Sequence, residues 1–587
     1  MIAARSASIR EQQRYAPHSI SRVADRIVYA GIVVCSLLNA LFGAYRTDAD
    51  TVAYLDLSDA IRNHQWHSAI NANWFPFYPA LLSLAKACFG YRMQYELMAA
   101  RLLDAALELA FVAAAVVLAR SAQRFMLARG ITADQLLPER TLYVWAAIVA
   151  YFLASLDLNN IKPDTLVSIF MILSVAALLH ALTVEGFLPW LTVGLCGALA
   201  FWAKSFAFPF FGLMILFTAL AHLRRPRVLV QLALASLVFA LLAAPLVWHI
   251  SSLRGRFTIG EAGRLDMAWY VNHADRFNPV DNAAAWQPRS AMAQFKHPGE
   301  LLSLTPSISY YGGPQSFGST PQWTDLSYWS DGLAPRFVLR ETLAEVRYDF
   351  SVLGASLVMR FQGLLLALLL GLWGFRLRRA SFPDPMLAAA FALPLACIGL
   401  YTVVYLEARY IIFALVLIAT LYSACATSRT QFGHHRSLQA ALVLAAALVL
   451  LYGFQTTLRE GKAAAQAGAR PMQGVYTSAI QSAGAELASL YPKSAEVACM
   501  GDAACWADPY WAHYAGLRMT AIVETGHGTT EETAEEGCAK LQQNPLALDA
   551  LRGKNIRAIV ARFAGTAPCS GAWKPLGSSP NFFYLAL

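Results

Sequence analysis

Two aspartates, two residues apart, stand near the start of the densest polar segment of the chain, Arg46 to Trp66 (RTDADTVAYLDLSDAIRNHQW). A carboxylate placed as Asp50 is suits a general base, provided a nucleophilic hydroxyl comes within hydrogen-bond reach. Asp48 supplies a second carboxylate, and a divalent cation between the two is an open alternative, although two carboxylates make a thin ligand set. The plain reading of either residue is a helix cap or a partner for the helix dipole. Farther along, Lys162-Pro163-Asp164, Lys204-Ser205 and Glu407-Ala408-Arg409-Tyr410 set charges at the edges of apolar blocks, and Arg101 and Asp104 do the same. Lys162, Lys204, Arg409 and Arg101 suit a phosphate, through charge-assisted hydrogen bonds. Their plain reading is anchoring at a membrane interface. Glu108 lies deeper in its block and is expected to pair with Arg101 or another buried cation.

The elements that must position these groups follow from composition. Of 587 residues, 57% are hydrophobic and 14% charged, against roughly 25% charged in soluble domains. The apolar residues gather in blocks of about 20, the length that spans a bilayer core. Eleven such blocks stand out, at 27–45, 97–118, 141–157, 164–183, 187–203, 206–222, 228–248, 356–375, 384–405, 410–427 and 437–455. Alternating sides along them puts every arginine cluster on one face: the N-terminal tail, 119–140, 223–227, 376–379 and 428–436. Positive charge marks the cytoplasmic face, so the N-terminus is expected inside, with 46–96, 249–355 and 456–587 outside. The first block is read as a retained anchor, since no small-residue cleavage site follows it. The net charge of +9 is absorbed by this orientation. No nucleic-acid-reading motif accompanies it, so nucleic acid is not an expected partner.

The stretch from Trp74 to Gly90 is apolar but carries two prolines and Lys86, and counting it as a span would reverse the arginine pattern. It is assigned to the first external loop. Upstream, Leu55, Leu57 and Ile61 share one side of an amphipathic helix that begins near Tyr54, with Asp56, Asp59 and Arg62 toward water and Asp50 ahead of it. The long 249–355 loop holds Trp269, Tyr270, Tyr310, Tyr311, Trp323, Tyr328 and Trp329. Their faces suit sugar rings or prenyl units, or form an interfacial belt. His297 is the most site-like histidine of that loop. Cys35, Cys88, Cys196, Cys397 and Cys425 are read as core residues. Cys499, Cys505, Cys538 and Cys569 form an even external set with three possible pairings, and a zinc site is the competing reading, short of ligand spacing. Beyond 456 the pattern changes to a helix over 475–491 and short strands at AEVACMG, IRAIVARF and NFFYLAL, a small α/β domain without a nucleotide or hydrolase motif.

The order of these features resembles the GT-C membrane glycosyltransferases, a group that includes protein O-mannosyltransferases and the aminoarabinose transferases acting on lipid A. The resemblance runs over about residues 25–430. It is carried by the acidic residue after the first span with Tyr54 and its helix, by Asn73-Trp74-Phe75-Pro76-Phe77-Tyr78-Pro79, and by Arg101, Lys162-Pro163-Asp164, Lys204-Ser205 and Glu407-Ala408-Arg409-Tyr410. It implies an α-helical polytopic membrane protein of about eleven spans (1–455), to which the tail's own pattern adds a small external α/β C-terminal domain (456–587). It further implies an enzyme of the bacterial inner membrane that moves a sugar from a membrane-borne polyprenyl-phosphate donor to a glycan, lipid or protein acceptor outside, with inversion. Asp50 is then the base, Asp48 the second carboxylate, and Lys204, Arg409, Lys162 and Arg101 the phosphate ligands. Tyr54, Trp74, Tyr78, Asp164, His297, Glu407 and Tyr410 line the substrate. Short cytoplasmic loops, with no room for a nucleotide-binding domain, agree with a lipid-borne donor. The rival readings are a polyprenyl-linked glycan ligase or polymerase, and a transporter or flippase for a lipid-linked sugar. The acidic pair is Asp-Ala-Asp where the family has Asp-Glu, and the proline segment lacks a preceding lysine, which leaves the acceptor class open.

Overall fold

In the computed structural model the apolar blocks become helices, because a chain in lipid must satisfy its backbone N–H and C=O groups internally. The structure describes residues 22–43, 45, 47–155, 161–272, 300–313, 316–326, 335–352, 384–425, 436–523, 533–563, 568–577, 579 and 581–587. Helix α1 (Arg22–Phe42) leads into two loop helices, α2 (Ala49–Arg62) and α3 (Phe77–Cys88). The bundle continues with α4 (Glu96–Ala128), α5 (Glu139–Ala154), α6 (Asp164–Ala181), α7 (Leu188–Ala203), α8 (Ala207–Ala221) and α9 (Pro226–Arg254). It is completed by α10 (Pro385–Thr402), α11 (Ala408–Cys425) and α12 (Arg436–Gln466). Among the described residues, 7 helices are long and apolar enough to cross a membrane. Helices α5, α7 and α8 are shorter, at 16, 16 and 15 residues, and match three more of the expected spans. The expected span 356–375 and the arginines at 376–379 and 429 lie outside the described residues, as do those of the N-terminal tail before 22.

Helix α4 packs on α1, α5, α6 and α11, α6 on α7, and α7 on α9. With lipid outside, such packing relies on close van der Waals fit more than on the hydrophobic effect. At Gly194 a Cβ would come within 2.4 Å of the Ala235 carbonyl oxygen, so a bare Cα is what lets α7 and α9 approach. Glu108 is buried in α4, and the expected pair with Arg101 does not form. These two residues are seven apart on one helix, beyond the three- or four-residue spacing that brings side chains together. Arg101 instead lies over the Tyr45 ring. Cys35, Cys196, Cys397 and Cys425 are buried as expected, whereas Cys88, at the end of α3, is exposed.

Above the bundle sits one mixed sheet of seven strands in the order β1-β2-β4-β3-β5-β7-β6. Strands β3 (Glu496–Met500), β5 (Ala558–Arg562) and β7 (Phe582–Ala586) lie in the three segments whose pattern predicted them. Strand β4 (Arg518–Val523) runs parallel to β3, β3 is parallel to β5, and β6 (Lys574–Pro575) closes one edge. The other edge comes from elsewhere in the chain: β1 (Glu300–Leu304) and β2 (Ser307–Tyr310) belong to the long loop, and β2 pairs antiparallel with β4. The sheet is therefore not confined to 456–587. Strand alternation divides it. Val497, Cys499, Met519 and Val560 join the core that runs on into the bundle, and Ala498, Met500, Ala521, Val523, Ile559 and Ala561 form a separate core on the far face. Helix Ser478–Leu490 covers the bundle side, close to its predicted limits. Of the three possible pairings, the cysteines adopt Cys499–Cys505 and Cys538–Cys569.

Candidate functional site

Helix α2 begins at Asp48, whose carboxylate accepts the Thr51 N–H at 2.8 Å and the Thr51 hydroxyl at 2.7 Å. Asp50 thus lies in the first turn, where the sequence pattern had set it ahead of the helix. Capping does not exhaust these carboxylates. The Lys162 ammonium is 3.0 Å from Asp48 Oδ2 and 2.9 Å from Asp50 Oδ2. The Trp323 indole N–H, from the short helix Pro321–Thr324 of the long loop, donates to Asp50 Oδ1 at 2.9 Å. Burial favours the neutral acid, but the charges of Lys162 and Arg409, with hydrogen bonds from Lys162 and Trp323, outweigh it and hold the Asp50 carboxyl down to about 2. Burial likewise opposes the Lys162 ammonium, and the Asp50 carboxylate more than offsets this, so the lysine is raised above its ordinary range.

Two residues past Lys162, Asp164 opens α6 and faces a second cation set. Its Oδ1 is 2.5 Å from Lys204 Nζ, where α7 ends, and its Oδ2 is 3.9 Å from the Arg409 guanidinium at the start of α11. Arg409 also pairs with Glu407 and donates to the Tyr410 hydroxyl at 3.2 Å. The Lys204 ammonium sits 3.9 Å from the centre of the Tyr410 ring, a cation–π contact. Glu407 accepts the Tyr405 hydroxyl at 2.6 Å, and Tyr405 stacks on Tyr270 of the long loop with ring centres 3.6 Å apart. On the other flank the Tyr54 ring meets Trp74 and Tyr78 edge-on at 5.0 and 5.2 Å. Trp74 donates to the Trp323 carbonyl, and Tyr78 to Asp104. The floor is made of helix ends of the bundle, and the roof of α2 and the long loop.

Of the residues singled out in the sequence, Asp48, Asp50, Lys162, Asp164, Lys204, Glu407, Arg409 and Tyr410 come together here, with Tyr54, Trp74 and Tyr78 beside them. Arg101 lines a separate small void with Ser36, Asn39 and Asp104. His297 lies outside the described residues, as do Tyr328 and Trp329. One carboxylate was missed. Desolvation pushes the Asp266 carboxyl up to about 7 in spite of the Lys204 charge close by, and the Glu407 charge adds to the rise. No spacing signal in the loop sequence marks Asp266, because it reaches the cluster through the path of a long irregular segment. The divalent-cation alternative for Asp48 and Asp50 fits poorly, because the Lys162 ammonium already bridges the two carboxylates at 3.0 and 2.9 Å.

A second polar cluster occupies the other end of α2. Asp56, expected to face water, is buried: it accepts the Ser319 N–H at 2.7 Å and the Ser319 hydroxyl at 2.7 Å. His513 of the C-terminal region bridges Asp56 (Nδ1 at 2.8 Å) and Glu96 (Nε2 at 3.2 Å). Burial opposes the imidazolium, yet the Glu96 carboxylate and the hydrogen bonds to Asp56 and Glu96 lift His513 to about 10. Lys86, the residue that marked α3 as unlike a span, lies 2.6 Å from Asp59 and 3.1 Å from Glu96, and Tyr510 donates to Glu96 at 2.6 Å. Asp59, Glu96 and His513 have metal-type donors within reach of one another, but the Lys86 ammonium already supplies their counter-charge. At Gly318 (φ +81°) a Cβ would fall 2.7 Å from Asp56 Oδ2, so the loop closes over this carboxylate only as glycine.

No family model matches the chain, and no curated protein matches it either. Among solved structures, the GT-C protein ArnT from Cupriavidus metallidurans, in its crystal structure bound to undecaprenyl phosphate, is similar at 11% identity. The match covers 96% of this chain and 98% of that one, with a TM-score of 0.52. The chain has the GT-C fold. The archaeal oligosaccharyltransferase AglB from Archaeoglobus fulgidus, in complex with an inhibitory peptide and a dolichol-phosphate, is 12% identical, with 92% of this chain and 70% of that chain covered and a TM-score of 0.45. Within this GT-C fold the Asp50 cluster lies where the loop helices meet the ends of α6, α7 and α11.

Proposed function

We propose that the chain is a membrane glycosyltransferase that takes a sugar from a polyprenyl-phosphate donor and transfers it, with inversion, to an acceptor hydroxyl on the external face. The observation that carries this reading is the convergence of Asp50 with Lys162, Lys204 and Arg409 at the ends of apolar helices. A prenyl chain can stay in lipid there while its phosphate meets cations and its sugar enters the space under the long loop. Lys204 and Arg409 hold the departing phosphate, with Lys162 as a further cation and Asp164 keeping Lys204 and Arg409 in place; Arg101, in its separate void, is left out of this role. The phosphate leaves with the bonding electrons of the sugar–oxygen bond, and the acceptor oxygen attacks the opposite face as Asp50 takes its proton.

The apo cluster makes Asp50 a weak base, since a carboxyl held at about 2 transfers little driving force to the proton it accepts. A donor phosphate that draws off Lys162 removes the largest charge holding Asp50 down, so donor binding itself activates the base. Tyr54, Trp74, Tyr78, Glu407 and Tyr410 line the substrate space, with the N-terminus cytoplasmic and the sheet external. The test is purified Asp50→Asn given a polyprenyl-phosphate sugar and an acceptor. Transfer is expected to fall at least ~10²-fold with donor affinity retained. Asparagine is also a good helix-end residue, so near-normal turnover in the variant would mean that Asp50 serves only the helix.

A further inference from the structure

At the far end of the bundle from the Asp50 cluster, α4, α6, α7 and α9 enclose a cavity of about 320 Å³. Helix α6 shows the separation. Asp164 at its first residue belongs to the candidate site, and Ala181 at its last lines this cavity, about 26 Å away at 1.5 Å per residue. The walls carry Arg129, Arg225 and Arg227 against one acid, Glu185. Arg129 is already engaged, 3.1 Å from Asp384 and over the Phe125 ring. Arg225 and Arg227 are exposed, and neither has an ion-pair partner among the described residues. They flank the N-terminus of α9, a 29-residue helix whose first-turn amides add positive potential.

A second observation stands apart from these charges. Trp190 lines the same cavity with its side chain 1% exposed, and its indole N–H has no acceptor among the described residues. A buried donor without a partner is uncommon and points to a group supplied from outside the chain. The surroundings indicate what kind of molecule brings it. Phe187 and Leu188, which precede Trp190, and Leu223 and Val230, which bracket the two arginines, are all exposed on the outer surface of the bundle. A cationic cavity opening onto an apolar, lipid-facing wall matches a molecule that is anionic at one end and a hydrocarbon along the rest.

We infer that this cavity is a binding site for the headgroup of an anionic phospholipid of the membrane leaflet opposite the Asp50 cluster. The phosphate lies against Arg225 and Arg227, a headgroup oxygen accepts the Trp190 N–H, and the acyl chains run along Leu188, Leu223 and Val230. Glu185 at the rim disfavours a second negative charge, which selects a singly charged headgroup. Basic pockets between helix ends on the cytoplasmic side bind such lipids by the same physics.

The test uses the full-length protein in nanodiscs of phosphatidylcholine with or without phosphatidylglycerol, read by native mass spectrometry of the lipids that stay bound after detergent extraction. Phosphatidylglycerol is expected to be retained in preference to phosphatidylcholine. The Arg225→Gln/Arg227→Gln variant is expected to bind it roughly thirty-fold more weakly, from about fivefold per arginine. Arg225→Lys/Arg227→Lys keeps the charge and should keep most of the retention, which separates lost charge from a damaged fold. Trp190→Phe should weaken retention by a smaller factor. Equal retention of the two lipids by the wild-type protein would overturn the site, and so would retention by the glutamine variant at the wild-type level. Binding of glycerol phosphate in place of the lipid would identify a soluble anion as the occupant and overturn the lipid assignment.

Discussion

Asp50 and Asp56 stand six residues apart on one short helix, and the clusters they anchor have opposite characters. Around Asp56, the side chains of Lys86, Glu96 and His513 are 4%, 2% and 4% exposed, and each is tied to at least two partners. Around Asp50 the carboxylate itself is 20% exposed, Asp48 is 39% and Lys204 is 23%. Both clusters mix acids with bases. The first is closed by a glycine, a serine and a histidine brought from remote parts of the chain, and every charge in it serves another. The second leaves Asp48, Asp50 and Lys204 partly exposed. Accessibility of the charges, more than their number, separates a cluster that fastens the sheet region to the loop helices from one that can bind and react.

This contrast can be broken experimentally, and the largest effect is expected in the closed cluster. Lys86→Met leaves Asp59, Glu96 and Asp56 with His513 as the one remaining cation, so unfolding should become easier by about 3–5 kcal/mol, the usual cost of orphaning a buried charge. A thermal melt of the purified variant in a constant detergent checks this. An unchanged melting temperature would mean that water reaches the cluster and that the contrast is one of degree. In the open cluster the effect should move from stability to ligand. Lys204→Ala is expected to weaken polyprenyl-phosphate binding roughly tenfold, as for one charge-assisted hydrogen bond, and to lower the melting temperature of the lipid-free protein less than Lys86→Met does, because the buried Asp164 carboxylate keeps Arg409 beside it. Lipid titration followed by intrinsic tryptophan fluorescence measures the first, and full retention of affinity would remove Lys204 from the phosphate's neighbours.

Acidity gives finer tests. His513 titrates near 6.5 when unfolded and about 10 when folded. The stability it adds is therefore complete below pH 6.5 and is lost as the pH rises through 10. Melting temperatures from pH 6 to pH 10 should decline in the wild-type protein and decline less in His513→Gln; parallel slopes would show that His513 does not carry the linkage. The smallest expected effect concerns Asp50. Because its carboxyl is lowered from 3.8 to about 2, its ionisation should leave kcat/KM, which reports the free enzyme, without an acid limb above about pH 4. The limb in kcat, which reports the donor complex, should lie higher if donor binding frees Asp50 from Lys162. Coincident limbs would refute that activation.

Much of the membrane part was legible because its signals are local. Apolar blocks of bilayer length fold as helices wherever they lie in the sequence, and prolines with Lys86 were enough to keep 77–88 out of the set of spans. The positions of Lys162, Asp164, Lys204 and Arg409 at helix ends follow from the same blocks, so their meeting at one end of the bundle was implied by counting spans. Three of the sheet's strands were visible as short apolar runs. The contribution of β1 and β2 was not, since strand pairing between residue 308 and residue 523 leaves no mark on either segment.

The sequence by itself determined the helices, the charges at their ends and the cysteines available for pairing, because each depends on side-chain chemistry over one or two turns of chain. Tertiary structure decided which carboxylate stays open to a ligand. Asp56 reads as a solvent-facing position in its helix, and it is buried because Ser319 and His513, 263 and 457 residues away, descend on it. Asp50 is met by Trp323 of the long loop and stays 20% exposed. Burial of a charge depends on what arrives from elsewhere in the fold, and helical periodicity describes a residue's side of the helix without naming what will be packed against it.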